Sequence, residues 1–463
     1  MKQKNFRLVW LIIAAIMLAF VPKELQAQEE TLGAFTVTKS DGGECSFANN
    51  KLTVTAGTVK VSTTRQTNQT IVLEGTAKLI LDGVNINAVA APLIEVAGND
   101  AVIELAANTQ NTLESTAADY AGIHVPVGSK VTFTGSGELN TTKHSGPANF
   151  SCAIGGQQGG NNPYSCGTVI FDLDGTITAR VVGSRAAGIG TCIKTDEKAA
   201  IFGSIIIKNG TINAKGGDYA AGIGTGPDGG AGGCVNILIE GGTVTASGGS
   251  FASGIGNGYN SKAVMYITVT GGEIKGNIGK GNGGATSSLE QVIVGPDAKV
   301  NGGISDYTNG IVFSGESKTA TMTGNVTIPA GVTLTVDADE TLTIPDGQTL
   351  TIEDGGAIIN NGGTITYNGT IKYERTGLKK GNYGTICLPY AVAEKSGAEF
   401  FSIAGKKIEN GNTWLVLKEV EGNLNAGQPY IFKATADKLS CTYSMDDAVE
   451  SPGKDNGLIG SFT

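Results

Sequence analysis

The chain has 463 residues, of which 70 are glycine and only 6% are aromatic, with 33 basic and 42 acidic side chains giving a formal charge of −9. An acidic surface without basic clusters argues against nucleic acid or anionic lipid as a partner. Glycine at about twice its usual share, with so few aromatics, leaves no material for one large globular centre and points to a core of thin layers of Ile, Val, Leu and Ala.

Lys2, Lys4 and Arg7 precede an unbroken apolar run, Leu8–Val21, followed by Pro22 and by Leu25-Gln26-Ala27. That run is too short to span a bilayer, and the basic, apolar, small-residue order is that of a secretory signal peptide. The expectation is a leader over residues 1–27, cleaved after Ala27, and export to the outer surface, the medium or the periplasm. The first cysteine is Cys45, so a lipid-bearing cysteine at the cleavage point is excluded, and no second apolar segment is long enough to cross a membrane.

Residues 28–69 hold short alternating runs (FTVT, KLTVTAGTVKVSTT) suited to capping the open end of a stack of strands. From Thr70 the pattern becomes that of irregular coils (IVLEGTAKLILDGVNI, AVIELAANTQNTLES), and from Tyr120 a sentence repeats: AAGIG…IIIKNGTINAKGG, AAGIG…ILIEGGTVTASGG, ASGIG…ITVTGGEIKG. Its isoleucines, Ile123, Ile154, Ile189, Ile223 and Ile255, are 31, 35, 34 and 32 residues apart. A fixed period of this size marks units that bury their apolar faces only by stacking on neighbours. Within a unit, Ile205 and Ile207 or Ile237 and Ile239 alternate with polar residues, the period of a strand with one buried face. Asn-Gly or Gly-Gly then supplies a corner. The small Ala-Gly-Ile-Gly run implies close backbone approach between layers. No helical spacing occurs in the repeats.

After a glycine-rich passage the period shortens, with TIPAGVTLTV at Thr327 and TIPDGQTLTI at Thr343, which reads as smaller coils ending near Tyr373. At Glu374 Trp414 and clustered Phe and Tyr appear in longer alternating runs (GTICLPYAV, EFFSIAG, TWLVLKEV, PYIFKATA). The expected architecture is all-β: a right-handed parallel β-helix, or solenoid, over residues 70–373, followed by a small antiparallel β-sandwich-like domain over 374–463 that either ends tightly at Gly460-Ser461-Phe462-Thr463 or is incomplete there.

The AGIG…GGTVTA units, with the LILDGVNI…NTLES…AGIHVP passage before them, resemble the secreted right-handed β-helix proteins of Gram-negative bacteria described as adhesin-like or carbohydrate-binding. The tail (YGTICLPYAV, FFSIAGKKI, AGQPYIFKATADKL) looks like a C-terminal β module of surface proteins from the same bacteria. The resemblance implies export and a glycan or polysaccharide partner. It carries no catalytic motif onto these residues. A polysaccharide lyase or glycoside hydrolase on the same scaffold, or a structural spacer that displays other modules, are the alternatives.

Phe150, Arg185, Tyr219 and Phe251 each stand four residues before a repeat isoleucine, with Tyr120 one position off. Equivalent positions in stacked coils lie about 4.8 Å apart, so these planar groups would form a ladder. It could be a platform for sugar rings, or a stabilising stack inside or beside the coil. Asp172 and Asp174 should both face outward, since Phe171 and Leu173 face in; paired carboxylates suit Ca²⁺ or acid–base cleavage of polysaccharide. Lys208, Glu240 and Thr270 near the same position in other coils suggest an ordinary solvated face instead. No cofactor is evident, and Ca²⁺ is the metal these carboxylates would take. His124 and His144, and the cations Arg180, Arg185 and Lys194, are the remaining groups with chemistry to offer.

Seven cysteines without CxxC spacing argue against zinc. They read mainly as buried thiols, with Cys152–Cys166 or Cys166–Cys192 as the candidate bridges. The loops after each GIG vary in length on one side of the stack, where solenoids usually place binding.

Overall fold

The computed structural model describes residues 28–444, apart from 99, 118, 145–149, 160–163, 184, 193–202, 229–233, 283–287, 316 and 410–411, together with 454–455 and 458–459. The expected leader, Lys194 and the final residues therefore lie outside the described part. Every regular element among the described residues is a β-strand. The chain divides into two compact units, the first comprising Met1–Val235, Gly242–Ala263 and Gly281–Ser287, the second Asn236–Gly241, Val264–Lys280 and Ser288–Thr463.

In the first unit, Gln28–Leu32, Phe35–Ala48 and Lys51–Thr63 form an antiparallel meander. Its last strand then changes partners and sense, pairing in parallel with Thr70–Glu74 and Lys78–Leu81. From there the ladders are parallel. Ile71 pairs with Ile94, Ile94 with Ile123, and the column continues through Ile154, Ile189, Ile223 and Ile255. A second ladder joins Lys78–Leu81, Ala101–Leu105, Lys130–Gly135, Thr168–Val182 and Ser204–Lys215. A third joins Asn85–Ala88, Gln110–Ser115, Glu138–His144, Thr168–Val182, Ser204–Lys215 and Thr243–Ser247. Three parallel ladders stepped coil by coil are a parallel β-helix.

Burial follows the alternation. Ile205, Ile207 and Ile212 are fully buried, and so is every isoleucine of the column. Each such side chain contributes on the order of 2 kcal/mol when taken out of water. Phe133 and Phe171 stack inside, with ring centroids 5.3 Å apart. The close approach expected of Ala-Gly-Ile-Gly is present: a Cβ on Gly190 would lie 2.0 Å from the carbonyl oxygen of Gly224. Only glycine permits that stacking.

In the second unit, Val264–Val269, Ser288–Val294 and Tyr307–Val312 pair in parallel. Smaller three-sided coils follow, built on Thr319–Thr321, Val326–Ile328 and Thr333–Asp337 and their successors. Thr319 pairs with Thr341 and Val326 with Leu350, steps of 22 and 24 residues, so the 16-residue sequence repeat is not one coil. It spans two of three sides: the first TIP closes one face and the second a different face. Thr370–Arg375 pairs in parallel with Thr349–Glu353 and antiparallel with Leu439–Ser444, and the antiparallel part begins there. A four-stranded antiparallel sheet takes the order Tyr383–Cys387, Pro429–Ala434, Ala398–Glu409, Asn412–Glu419. Phe400, Phe432, Leu439, Cys441 and Tyr430 share one buried cluster with the aliphatic side chains of the short coils. The fold is thus an all-β parallel β-helix with a small antiparallel domain after it. Among the described residues no helix is long and apolar enough to cross a membrane.

Candidate functional site

The corner before each column isoleucine builds the site. In Gly216-Gly217-Asp218-Tyr219 and Gly248-Gly249-Ser250-Phe251 the chain turns on a short hydrogen bond, Ala220 N to Gly217 O at 3.2 Å and Ala252 N to Gly249 O at 3.2 Å. Tyr219 and Phe251 both sit at φ 62°, a left-handed conformation that costs a bulky residue about 1 kcal/mol or more. Two aromatics paying that cost at equivalent corners are an outlier that points to function. The turn carries both rings outside the coil: Phe251 is 59% exposed and Tyr219 is half-buried.

The rings form the expected column. Tyr219 and Phe251 stack with centroids 6.3 Å apart and planes 8° from parallel. The guanidinium carbon of Arg185 lies 5.6 Å from the centre of the Tyr219 ring. Tyr259 leans against both at 5.4 and 6.0 Å, tilted by 55° and 54°. Together with Asp228 and Asn282 these side chains line an open groove of about 530 Å³.

Loops after the GIG runs supply the second wall, and a buried polar network fixes them. The Thr225 hydroxyl meets Asn257 Oδ1 at 3.2 Å and Ser261 Oγ at 3.1 Å, while it accepts from Gly258 N at 3.0 Å. Asn257 Nδ2 donates to Ala263 O at 3.2 Å. Tyr259 N donates to Tyr219 O at 2.8 Å, and Asn282 N to Phe251 O at 2.7 Å, so each aromatic corner is tied to a loop. Asp228 N donates to Tyr259 O at 2.9 Å, and Asn260 Nδ2 donates to Asp228 Oδ1 at 2.8 Å. The result is a pre-formed apolar floor rimmed by a cation, a carboxylate and an amide, the make-up of a small-ligand site.

No known protein-family model, curated protein or solved structure matches the chain.

Of the ladder residues expected from spacing, Arg185, Tyr219 and Phe251 come together and Phe150 does not. Phe150 is half-buried and packs against Cys152, Tyr164, Ala186, Ala187 and Cys192, the stabilising role that was the other reading of the ladder. Tyr120 also lies outside the groove lining. Tyr259, Asp228 and Asn282 were not singled out by sequence; the loops that carry Asp228 and Tyr259 were expected on the binding side, whereas Asn282 comes from the glycine-rich passage after them.

The other candidates stand apart. Asp172 and Asp174 are exposed, as the alternation required, and Asp174 Oδ1 accepts from Asn209 Nδ2 at 3.0 Å; neither lines the groove. The acidic group close enough to share an ion among the described residues is instead Asp297, Asp337 and Glu340 in the second unit. It has a cation of its own: Lys318 Nζ lies 3.7 Å from Glu340 and 2.8 Å from Asp339. Glu340 also accepts from Asp337 N at 2.7 Å. His124 is buried with Nδ1 2.8 Å from the Glu95 carboxylate, whereas His144 and Arg180 are exposed.

Cys45, Cys152, Cys166, Cys192 and Cys441 form no disulfide. Burial pushes the Cys152 and Cys166 thiols well up, and Cys152 has Cys192 as a hydrogen-bonding neighbour; neither expected bridge is formed. Lys143, fully buried in the first unit, donates to the carbonyls of Ala117 and His144. Loss of solvent lowers its pKa to about 8.

Proposed function

We propose that this is an exported, adhesin-like surface or secreted protein that binds carbohydrate, and that the groove of Tyr219, Phe251 and Tyr259 is where it does so. The observation that carries the reading is the aromatic column rimmed by Arg185, Asp228 and Asn282. A sugar ring has an apolar face of C–H groups and an edge of hydroxyls. Stacked aromatics match the first, and a carboxylate, an amide and a guanidinium match the second. Export rests on the leader-like N-terminus and on the resemblance of the repeats to secreted β-helix proteins. Binding is favoured over cleavage because, among the described residues, the groove lining contributes one carboxylate, Asp228, where glycoside hydrolysis ordinarily uses two.

The test is a glycan array probed with the full chain, with and without Ca²⁺, and scored in parallel for release of reducing or unsaturated ends. Binding without cleavage, lost in Tyr219→Ala and in Phe251→Ala, is the expected result. Cleavage would move the protein to the lyase or hydrolase class, and silence in both assays would leave a spacer that displays other modules.

A further inference from the structure

Resting on that carbohydrate-binding reading, we infer that the groove selects a sugar acid: a residue whose carboxylate is held by Arg185 while its ring lies on the aromatic floor. Arg185 is exposed, and among the described residues its guanidinium faces an aromatic ring, that of Tyr219 at 5.6 Å, and makes no ion pair. The contact with Tyr219 restricts where the fork can point without using its donors. A planar guanidinium held in this way presents parallel N–H groups that a carboxylate accepts in pairs.

The one carboxylate of the groove does not neutralise this cation. Asp228 takes its hydrogen bond from Asn260 Nδ2 at 2.8 Å and its backbone is fixed to Tyr259 O at 2.9 Å. It is an acceptor suited to sugar hydroxyls. Asn282, exposed and anchored through its own N–H to Phe251 O at 2.7 Å, adds an amide that both donates and accepts. One ring therefore meets an apolar floor, an acceptor, an amide and one separate cation.

The charge of the whole protein sharpens the point. At −9 overall the far field repels an anion, so a preference for carboxylated sugars has to come from a local cation, and among the described residues Arg185 is the one that lines the groove. A neutral sugar binds through the floor, Asp228 and Asn282, and offers Arg185 only a neutral hydroxyl. A uronate gains one charge-assisted pair at an exposed position, a preference of about five-fold.

The experiment is calorimetric titration of the full chain with oligomers of galacturonate, glucuronate and mannuronate, each paired with its carboxyl-reduced twin of equal length, and with a sulfated neutral oligomer. The expected outcome is that uronates bind about five-fold more tightly than their twins, that added salt erodes the difference, and that Arg185→Gln abolishes the difference within each pair, whatever it does to the twins' own affinity. Arg185→Lys, which keeps the charge and loses the fork, should restore only part of the preference.

Equal affinity within each pair would overturn this inference and leave the groove reading standing, provided Tyr219→Ala weakens both members. A preference that survives in Arg185→Gln, or a sulfated oligomer that binds as tightly as the uronates, would overturn the assignment of a carboxylate to Arg185. No binding to any member of any pair would sink the inference together with the groove reading. Thermal midpoints of the variants, unchanged because Arg185 is exposed, separate lost recognition from lost folding.

Discussion

In the isoleucine column of the first unit a glycine such as Gly224 is required by the coil stacked on it as well as by its own backbone, whereas turn glycines such as Gly331 and Gly347 in the short coils of the second unit are required by their backbone alone. Gly224 is the clearest case of the first kind, since a Cβ there would lie 2.0 Å from the carbonyl oxygen of Gly256. Gly347 is the second kind: its φ is 74°, yet a Cβ would meet nothing within 4 Å. One composition signal therefore has two physical origins. In the column it records backbone packed on backbone, and at these turn positions only a turn.

The largest expected effect separates those origins. Gly224→Ala adds a clash to a backbone region closed to other residues and should cost about 3–5 kcal/mol, or prevent folding. Gly347→Ala should cost only about 1 kcal/mol. Urea midpoints followed by circular dichroism measure both; equal losses would break the comparison.

A second test uses the interior of the first unit. Lys143 has a pKa near 8 in the folded chain against an ordinary 10.5. Below about pH 8 it is protonated in both states and its burial penalty is fully present. Between about 8 and 10.5 the unfolded chain binds the extra proton, so this group adds stability as pH rises. Lys143→Met should be the more stable protein below pH 8 by about 2 kcal/mol, with the gap closing toward pH 10.5. A gap that does not change with pH would show that Lys143 is not held in a dry interior.

A smaller effect distinguishes the two fates of the ladder. Phe150→Ala should lower stability by about 1–2 kcal/mol and leave glycan affinity alone. Tyr219→Gly should do the reverse. It relieves a φ of 62°, keeps stability within about 1 kcal/mol of the parent and weakens binding at least ten-fold. If Tyr219→Gly unfolds the protein, the corner is structural and the binding platform fails.

The smallest effect is expected in the second unit. Trp414 and Ile408 are 57% and 78% exposed, and Trp414→Ser should change stability by less than about 0.5 kcal/mol while reducing self-association in sedimentation experiments. A large loss of stability would mean this hairpin is covered by its own chain.

The coil register was legible because isoleucine and glycine recur at one step and nothing else satisfies both a buried period of two and contact between backbones. The short coils were harder. Each side of the coil repeats nearly the same turn-and-strand phrase, so the 16 residues from Thr327 to Thr343 look like a period although Thr327 pairs with Thr351. Arg185, Tyr219 and Phe251 were legible from equal offsets. Phe150 shares the offset but not the corner's sequence: Gly-Gly stands before Tyr219 and Phe251, whereas Gly146-Pro147-Ala148-Asn149 precedes Phe150. Tyr259, Asp228 and Asn282 could not be read from any period, because loops of unequal length bring them in and the buried Thr225–Asn257–Ser261 network sets their height.

The change of strand sense at Thr370–Arg375 bears on fibril growth. A parallel stack that ends on an unpaired strand is a seed, since its row of free N–H and C=O groups can recruit any extended segment. Here Leu439–Ser444 occupies that row and carries Ala391–Ser396 on its far side. The sheet ends on that strand, with Glu394 exposed and Lys395 half-buried. Charged side chains on a terminal strand oppose further recruitment, so on this one of the coil's three sides the antiparallel strands act as a chain terminator for a template that would otherwise keep copying itself.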